Sequence, residues 1–163
     1  YKSFQKLDRI PESIGLAKNL VSLQIAHNYI ERLPDSIGDL EFLQEISVWD
    51  NKLRYLPESF GKLRGIEELN LWNNLLEWLP ENIGKLNNLD RMVLSQNRLK
   101  FLPDSFSELK NLRVLILSNN YFDEIPICIS GMLNLELLDI NGNKIKEIQV
   151  LIYNLQYLKE FKF

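Results

Sequence analysis

The sequence predicts an α/β solenoid, a curved stack of short strand-and-helix units with one parallel sheet along its concave side. Three observations carry that expectation. All six prolines fall at Pro11, Pro34, Pro57, Pro80, Pro103 and Pro126, each 23 residues after the last, and a fixed period of this length means repeated units stacked on one another. Asparagines keep the same step at Asn28, Asn51, Asn74, Asn97, Asn120 and Asn143, as do glycines at Gly15, Gly38, Gly61 and Gly84. Within each period the apolar spacing changes from three or four residues to two, as expected for a helical segment followed by a strand.

The unit from Leu56 to Trp78 shows how each element is specified. Leu56, Phe60, Leu63 and Ile66 are spaced to share one face of a short helix. Pro57 sits near the first helical position, where a missing N–H costs no helical hydrogen bond. The acid after each proline (Glu12, Asp35, Glu58, Glu81, Asp104) suits the positive end of a helix. Leu69 and Leu71 then point one way while Glu68 and Asn70 point the other, so a strand follows. The periodic glycines read as turn residues. In the Asn row, an amide with two donors and one acceptor can pair with backbone groups that a tight turn would otherwise bury unpaired.

These residues also carry a family resemblance. Leu20, Leu23, Ile25, Asn28 and Ile30 spell LxxLxLxxNxL, which resembles the consensus of the leucine-rich repeat family. Further copies start at Leu43, Ile66, Leu89, Leu112 and Leu135, and an incomplete one contains Leu158, Phe161 and Phe163. The linking segment Leu33-Pro34-Asp35-Ser36-Ile37-Gly38-Asp39-Leu40 is similar to the LPxxIGxL variant of bacterial repeat proteins and Scribble-type scaffolds. The resemblance covers nearly the whole chain. It implies a right-handed horseshoe with short helices or 3-10 turns on the convex side, and a protein-binding role. The expected organisation is one domain over residues 1–163, with a partial unit at 1–9, units starting at 10, 33, 56, 79, 102 and 125, and an incomplete unit at 148–163.

The two ends depart from the pattern. Gln149 stands in the proline position and Tyr153 in the glycine position, Phe161 and Phe163 take core positions, and Gln5 occupies the Asn position of a partial first unit. Neither end resembles the polar cap that shields a solenoid's terminal core. The expectation is a longer native protein or one whose ends pair, so the ends are candidate surfaces for self-association.

Composition narrows the partners. The chain has 22 acidic and 19 basic residues and a net charge of −3, so no global field would draw it onto nucleic acid. No apolar run reaches the roughly 18 residues of a membrane span. Cys128 is the only cysteine, which rules out an intramolecular disulfide framework, and Ile127 and Ile129 beside it suggest packing. The chain also has no Asn-x-Ser/Thr acceptor, which leans towards a bacterial or intracellular source while leaving the compartment open.

Function is expected on the concave face, where side chains alternate with the core rows. Trp49 and Trp72 hold the same position in neighbouring units, about 4.8 Å apart in strand spacing and close enough to stack. Val93 and Ile116, then Val114 and Leu137, extend them as a diagonal apolar band. Tryptophans on a rigid surface are common interface anchors. Glu45, Glu67, Glu68, Asp50 and Asp90 flank the pair and point to a protein or peptide partner with apolar and basic residues. A second aromatic row, Tyr55, Trp78 and Phe101, reads as a ladder covering its own loop edge, with self-association as the alternative, and Tyr29, Leu75 and Tyr121 form a weaker row.

An enzyme is not expected. His27 is the only histidine, and Asp50 lies one unit later at the same position, but a catalytic dyad needs a nucleophile and oxyanion donors, which Ser22 and Ser47 do not signal. One His and one Cys in different rows form no metal site, and GxxxxGK[ST] is absent, so neither metal nor cofactor is expected. The leading expectation is a protein–protein interaction module. The alternatives are a recognition or regulatory segment of a larger enzyme, such as a kinase, GTPase or ubiquitin ligase, and a bacterial surface or host-binding protein.

Overall fold

The structure is a computed structural model that describes residues 6–163, so the position expected for Gln5 lies outside the described residues. Seven strands, β1 (Ser22–Gln24), β2 (Glu45–Ser47), β3 (Glu68–Asn70), β4 (Arg91–Val93), β5 (Val114–Ile116), β6 (Leu137–Asp139) and β7 (Glu160–Lys162), form one parallel sheet in sequence order. Each residue pairs with the one 23 positions on, as in Leu23↔Ile46 and Leu69↔Met92. Sequence period and strand register are therefore the same number.

Every convex segment is a five-residue 3-10 helix, as in Asp35–Asp39, Glu58–Lys62 and Glu81–Lys85. The apolar spacing explains this choice. Phe60, Leu63 and Ile66 recur every three residues, which is the 3-10 period, and all three are fully buried. Backbone bonds follow the same step, with Phe60 N–H donating to Pro57, Leu63 to Phe60 and Ile66 to Leu63 at 3.0–3.1 Å. Pro57 is the N-cap rather than a helical residue, with extended φ −68° and ψ 151°. Gln149 holds the same extended geometry where proline is missing, and its Oε1 accepts the Ile125 N–H at 2.8 Å.

The expectation that the periodic glycines serve turns is corrected. Gly15, Gly38, Gly61 and Gly84 lie within the 3-10 helices, and positive φ is confined, among glycines, to Gly142. They are glycine because the next unit presses against them: a Cβ on Gly38 would lie 2.8 Å from that of Ser59, and one on Gly61 would lie 3.0 Å from the Asn82 carbonyl carbon. The left-handed turn is made elsewhere, by His27, Asp50, Asn73, Gln96, Asn119 and Gly142, at φ between 53° and 67°. Polar residues, Asn and Asp above all, tolerate that conformation best after glycine.

Each inner Asn bonds back to the preceding unit. Asn74 Oδ1 accepts the Leu53 N–H at 3.0 Å, and its amide donates to the carbonyls of Val48 and Leu71 at 3.0 and 3.1 Å. Asn51, Asn97, Asn120 and Asn143 repeat the pattern, so the units are stitched through buried amides as well as through the sheet. The terminal unit is looser. Phe161 pairs with Leu138 and is partly buried, whereas Phe163, one period after the buried Ile140, is 50% exposed.

Cys128 is buried, and desolvation pushes its thiol from an ordinary 9.0 up to about 11. At pH 8 this leaves about a hundredfold less thiolate than an ordinary thiol would carry. Alkylation by iodoacetamide is therefore expected to be slower by about that factor in the native protein than in denaturant, and equal rates would show the packing to be wrong. Because the folded value is raised, the stabilisation linked to this proton is present below pH 9 and is lost as pH rises towards 11.

Candidate protein-interaction surface on the concave sheet

The central residue of each strand, Leu23, Ile46, Leu69, Met92, Leu115 or Leu138, is buried in the core. Its two strand neighbours therefore face the concave side, because successive side chains alternate. The sheet register places the sequence-predicted residues as neighbours: Glu45 opposite Glu68, Val93 opposite Ile116, and Val114 opposite Leu137. The four aliphatic members are half-buried. Beyond Ile116 the band ends at Asp139, a buried carboxylate whose Oδ1 accepts both the backbone and side-chain amides of Asn141.

Trp49 and Trp72 lie just beyond β2 and β3, half-buried, with ring centroids 5.4 Å apart. They do not stack flat, as the sequence suggested, but meet at 40°. The His27 ring lies against Trp49, with centroids 4.0 Å apart at 72°, so one face of the pair is already taken. His27 Nδ1 is 2.5 Å from Asp50 Oδ2, and the Asn73 amide donates to Asp50 Oδ1 at 2.6 Å. The left-handed turn row thus forms a side-chain chain, His27–Asp50–Asn73, whose His27 end lies against Trp49 at one rim.

This chain changes what the acidic residues can do. Asp50 is engaged by both its neighbours. Asp90, also expected to offer free charge, is gripped by Arg113 through Nε and Nη2 at 2.5 and 3.0 Å. Glu136 is paired with Lys159 at 2.9 Å. Glu45 accepts bonds from Ser22 and Gln24 at 3.0 and 3.1 Å. Among the described residues, no cation lies within ion-pair distance of Glu45, Glu67 or Glu68. Sequence reasoning placed His27 beside Asp50 but missed two further pairs set by the same 23-residue step: Asn73 follows Asp50, and Arg113 follows Asp90.

His27 and Asp50 do meet, and among the described residues no serine or cysteine hydrogen-bonds to either. Ser22, one of the two serines considered with the dyad, gives its hydroxyl to Glu45. The geometry shown is a brace between neighbouring units, His27 on Asp50 and Asn73 on Asp50. No group of three or more His, Cys, Asp or Glu converges to hold a metal ion among the described residues, and none of their helices is long and apolar enough to cross a membrane.

The second aromatic row is shorter than its sequence pattern. Tyr55 and Trp78 stack with centroids 6.2 Å apart at 7°, whereas Phe101 stands 58% exposed without a ring partner. Tyr29 is sandwiched between Lys6 and Lys52, whose ammonium groups lie 4.7 and 4.6 Å from its ring centre, and Tyr121 carries Lys144 at 5.0 Å. Both rings remain exposed, at 46% and 44%, with cations set over them.

Residues 18–76 and 64–122 match a family model described as leucine rich repeat, and residues 110–153 match one described as leucine rich repeats in two copies. No curated protein sequence matches the chain significantly. Among solved structures, a leucine-rich repeat protein of Leptospira interrogans is 31% identical with a TM-score of 0.74, the similarity covering 95% of this chain and 45% of that one. A chain of the PEPR1–AtPEP1 crystal structure is 27% identical with a TM-score of 0.81, covering 94% of this chain and 26% of its own length. The plant peptide hormone receptor RGFR1, solved in complex with RGF2, shares the fold at 23% identity and a TM-score of 0.65, covering 94% and 34%. The chain thus spans less than half the length of each.

Proposed function

The chain belongs to the leucine-rich repeat family, and from that premise we propose that it is a non-enzymatic interaction module taking a protein or peptide partner on its concave sheet. The observation that carries this reading is the pair Trp49 and Trp72, in ring contact and continued by the aliphatic residues of β4, β5 and β6. Rings held by a braced rim lose little freedom on binding, so their burial is returned as affinity. Similarity to a chain of the PEPR1–AtPEP1 structure supports a partner-binding role.

The test is recovery of a partner by the wild-type chain and by Trp49→Ala/Trp72→Ala. Truncating two anchors of this kind is expected to weaken binding by at least thirtyfold, about 2 kcal/mol or more. The circular dichroism spectrum should be unchanged, because neither ring belongs to the buried core. Undiminished binding by the double variant would remove the concave site.

A further inference from the structure

The apolar band is oblique, and its charged flank is uneven. From the Trp pair beside β2 and β3 it crosses to Leu137 on β6 while moving four residues back along the strand direction. With strands about 4.8 Å apart and about 3.3 Å per residue, the band is roughly 20 Å long. That is the length of about seven extended residues. The middle aliphatic pair, Val93 and Ile116, lies nearer the Leu137 end.

On the flank beside β4 to β6 the acids are neutralised within the chain, Asp90 by Arg113 and Glu136 by Lys159. On the flank beside β2 and β3 they are not. Glu45 and Glu68 face each other in register, an arrangement of like charges that is unfavourable in itself, and Glu67 adjoins them. Arg91 sits opposite Glu68 in the register but makes no ion pair among the described residues. The carboxylates do not converge on a metal-binding geometry. They present a line of charge beside an apolar track.

Resting on the concave-binding reading, we propose that the occupant is an extended peptide segment carrying a lysine or arginine between its apolar residues. A large apolar side chain meets the Trp pair, the basic residue follows about two or three positions on and reaches Glu68 and Glu45, and aliphatic residues about four and six positions on meet Val93/Ile116 and Val114/Leu137. The cation relieves the Glu45–Glu68 repulsion that the free protein leaves in place. The unequal flanks orient the segment, because the reversed peptide would bring its cation to the neutralised side.

The experiment is selection from a display library of random octapeptides on the full chain, run in parallel on Glu45→Gln/Glu67→Gln/Glu68→Gln and on Trp49→Ala/Trp72→Ala. The expected wild-type consensus has one basic residue inside an apolar pattern. Its synthetic peptide should bind the triple Gln variant about tenfold more weakly, with a flattened salt dependence. Wild-type consensus peptides without a basic residue, basic peptides that bind the triple Gln variant equally well, or no consensus at all would overturn the proposal. Peptides that lose affinity for the Trp variant yet show no basic preference would overturn this inference alone. Peptides indifferent to the Trp variant would overturn the concave reading with it.

Discussion

Gly84→Ala is expected to destabilise the protein by about 3 kcal/mol, a large effect for one methyl group. The added Cβ would lie 2.8 Å from both the carbonyl carbon and the Cβ of Ser105, with the carbonyl oxygen nearer still. A flexible side chain could swing aside, but the backbone of Asp104–Glu108 cannot move without lifting that helix off its neighbour. In a chain of this size the loss corresponds to a melting temperature lower by about 6–12 °C. Gly65→Ala is the control, since its Cβ would meet the Leu43 and Glu41 carbonyl oxygens at 3.2 and 3.5 Å, with no contact under 3.0 Å; a cost under about 1 kcal/mol is expected there. Equal melting temperatures for the two variants would mean that the glycine row is not set by contact between units.

Asn74→Leu should cost a similar amount, about 3 kcal/mol, through polar groups rather than crowding. Leu53 N–H has Asn74 Oδ1 as its partner and would be left buried and unpaired. The carbonyls fare better: Leu71 O also accepts from Asn97, and Val48 O from Asn51, so each loses one of two side-chain bonds. The penalty should therefore concentrate at Leu53, and its amide should lose hydrogen-exchange protection most. Asn28→Leu is expected to cost about 1 kcal/mol, because Asn28 is only part-buried and serves the exposed Leu7 amide. An unmoved melting curve for Asn74→Leu, or an equal loss at Asn28, would sink this account.

Much of the fold was legible because the period of the sequence is also the register of the sheet. Once Trp49 and Trp72 were seen to be one period apart, their adjacency followed. The same step could have paired Asp90 with Arg113 and Asp50 with Asn73. What it could not supply was which neighbouring polar groups would bond, since that depends on rotamers. The resemblance allowed either short helices or 3-10 turns, and the residues left that choice open: Leu56 and Phe60 are four apart and suggest an α-helix, while the three-residue step of Phe60, Leu63 and Ile66 decides the outcome. The left-handed row was hidden. His27, Asp50, Asn73, Gln96 and Asn119 share a backbone angle but no single chemistry. The role of glycine was misread because a sequence does not distinguish freedom of φ from absence of a side chain.

The Asn row also bears on how such a chain changes length over evolutionary time. Each amide looks back one unit for its partners and leaves its own backbone to the next, so any stretch of 23 residues carries one complete set of obligations in both directions. Tandem duplication of such a stretch adds a unit whose amide, glycine and strand all find counterparts already in place. A gain or loss of 22 or 24 residues keeps these pairings only where a loop absorbs the odd residue, because a one-residue slip within a strand turns its core side chains outwards. Whole-unit duplication is therefore the change that preserves the amide, glycine and strand rows together, and each copy brings a new set of concave side chains free to diverge.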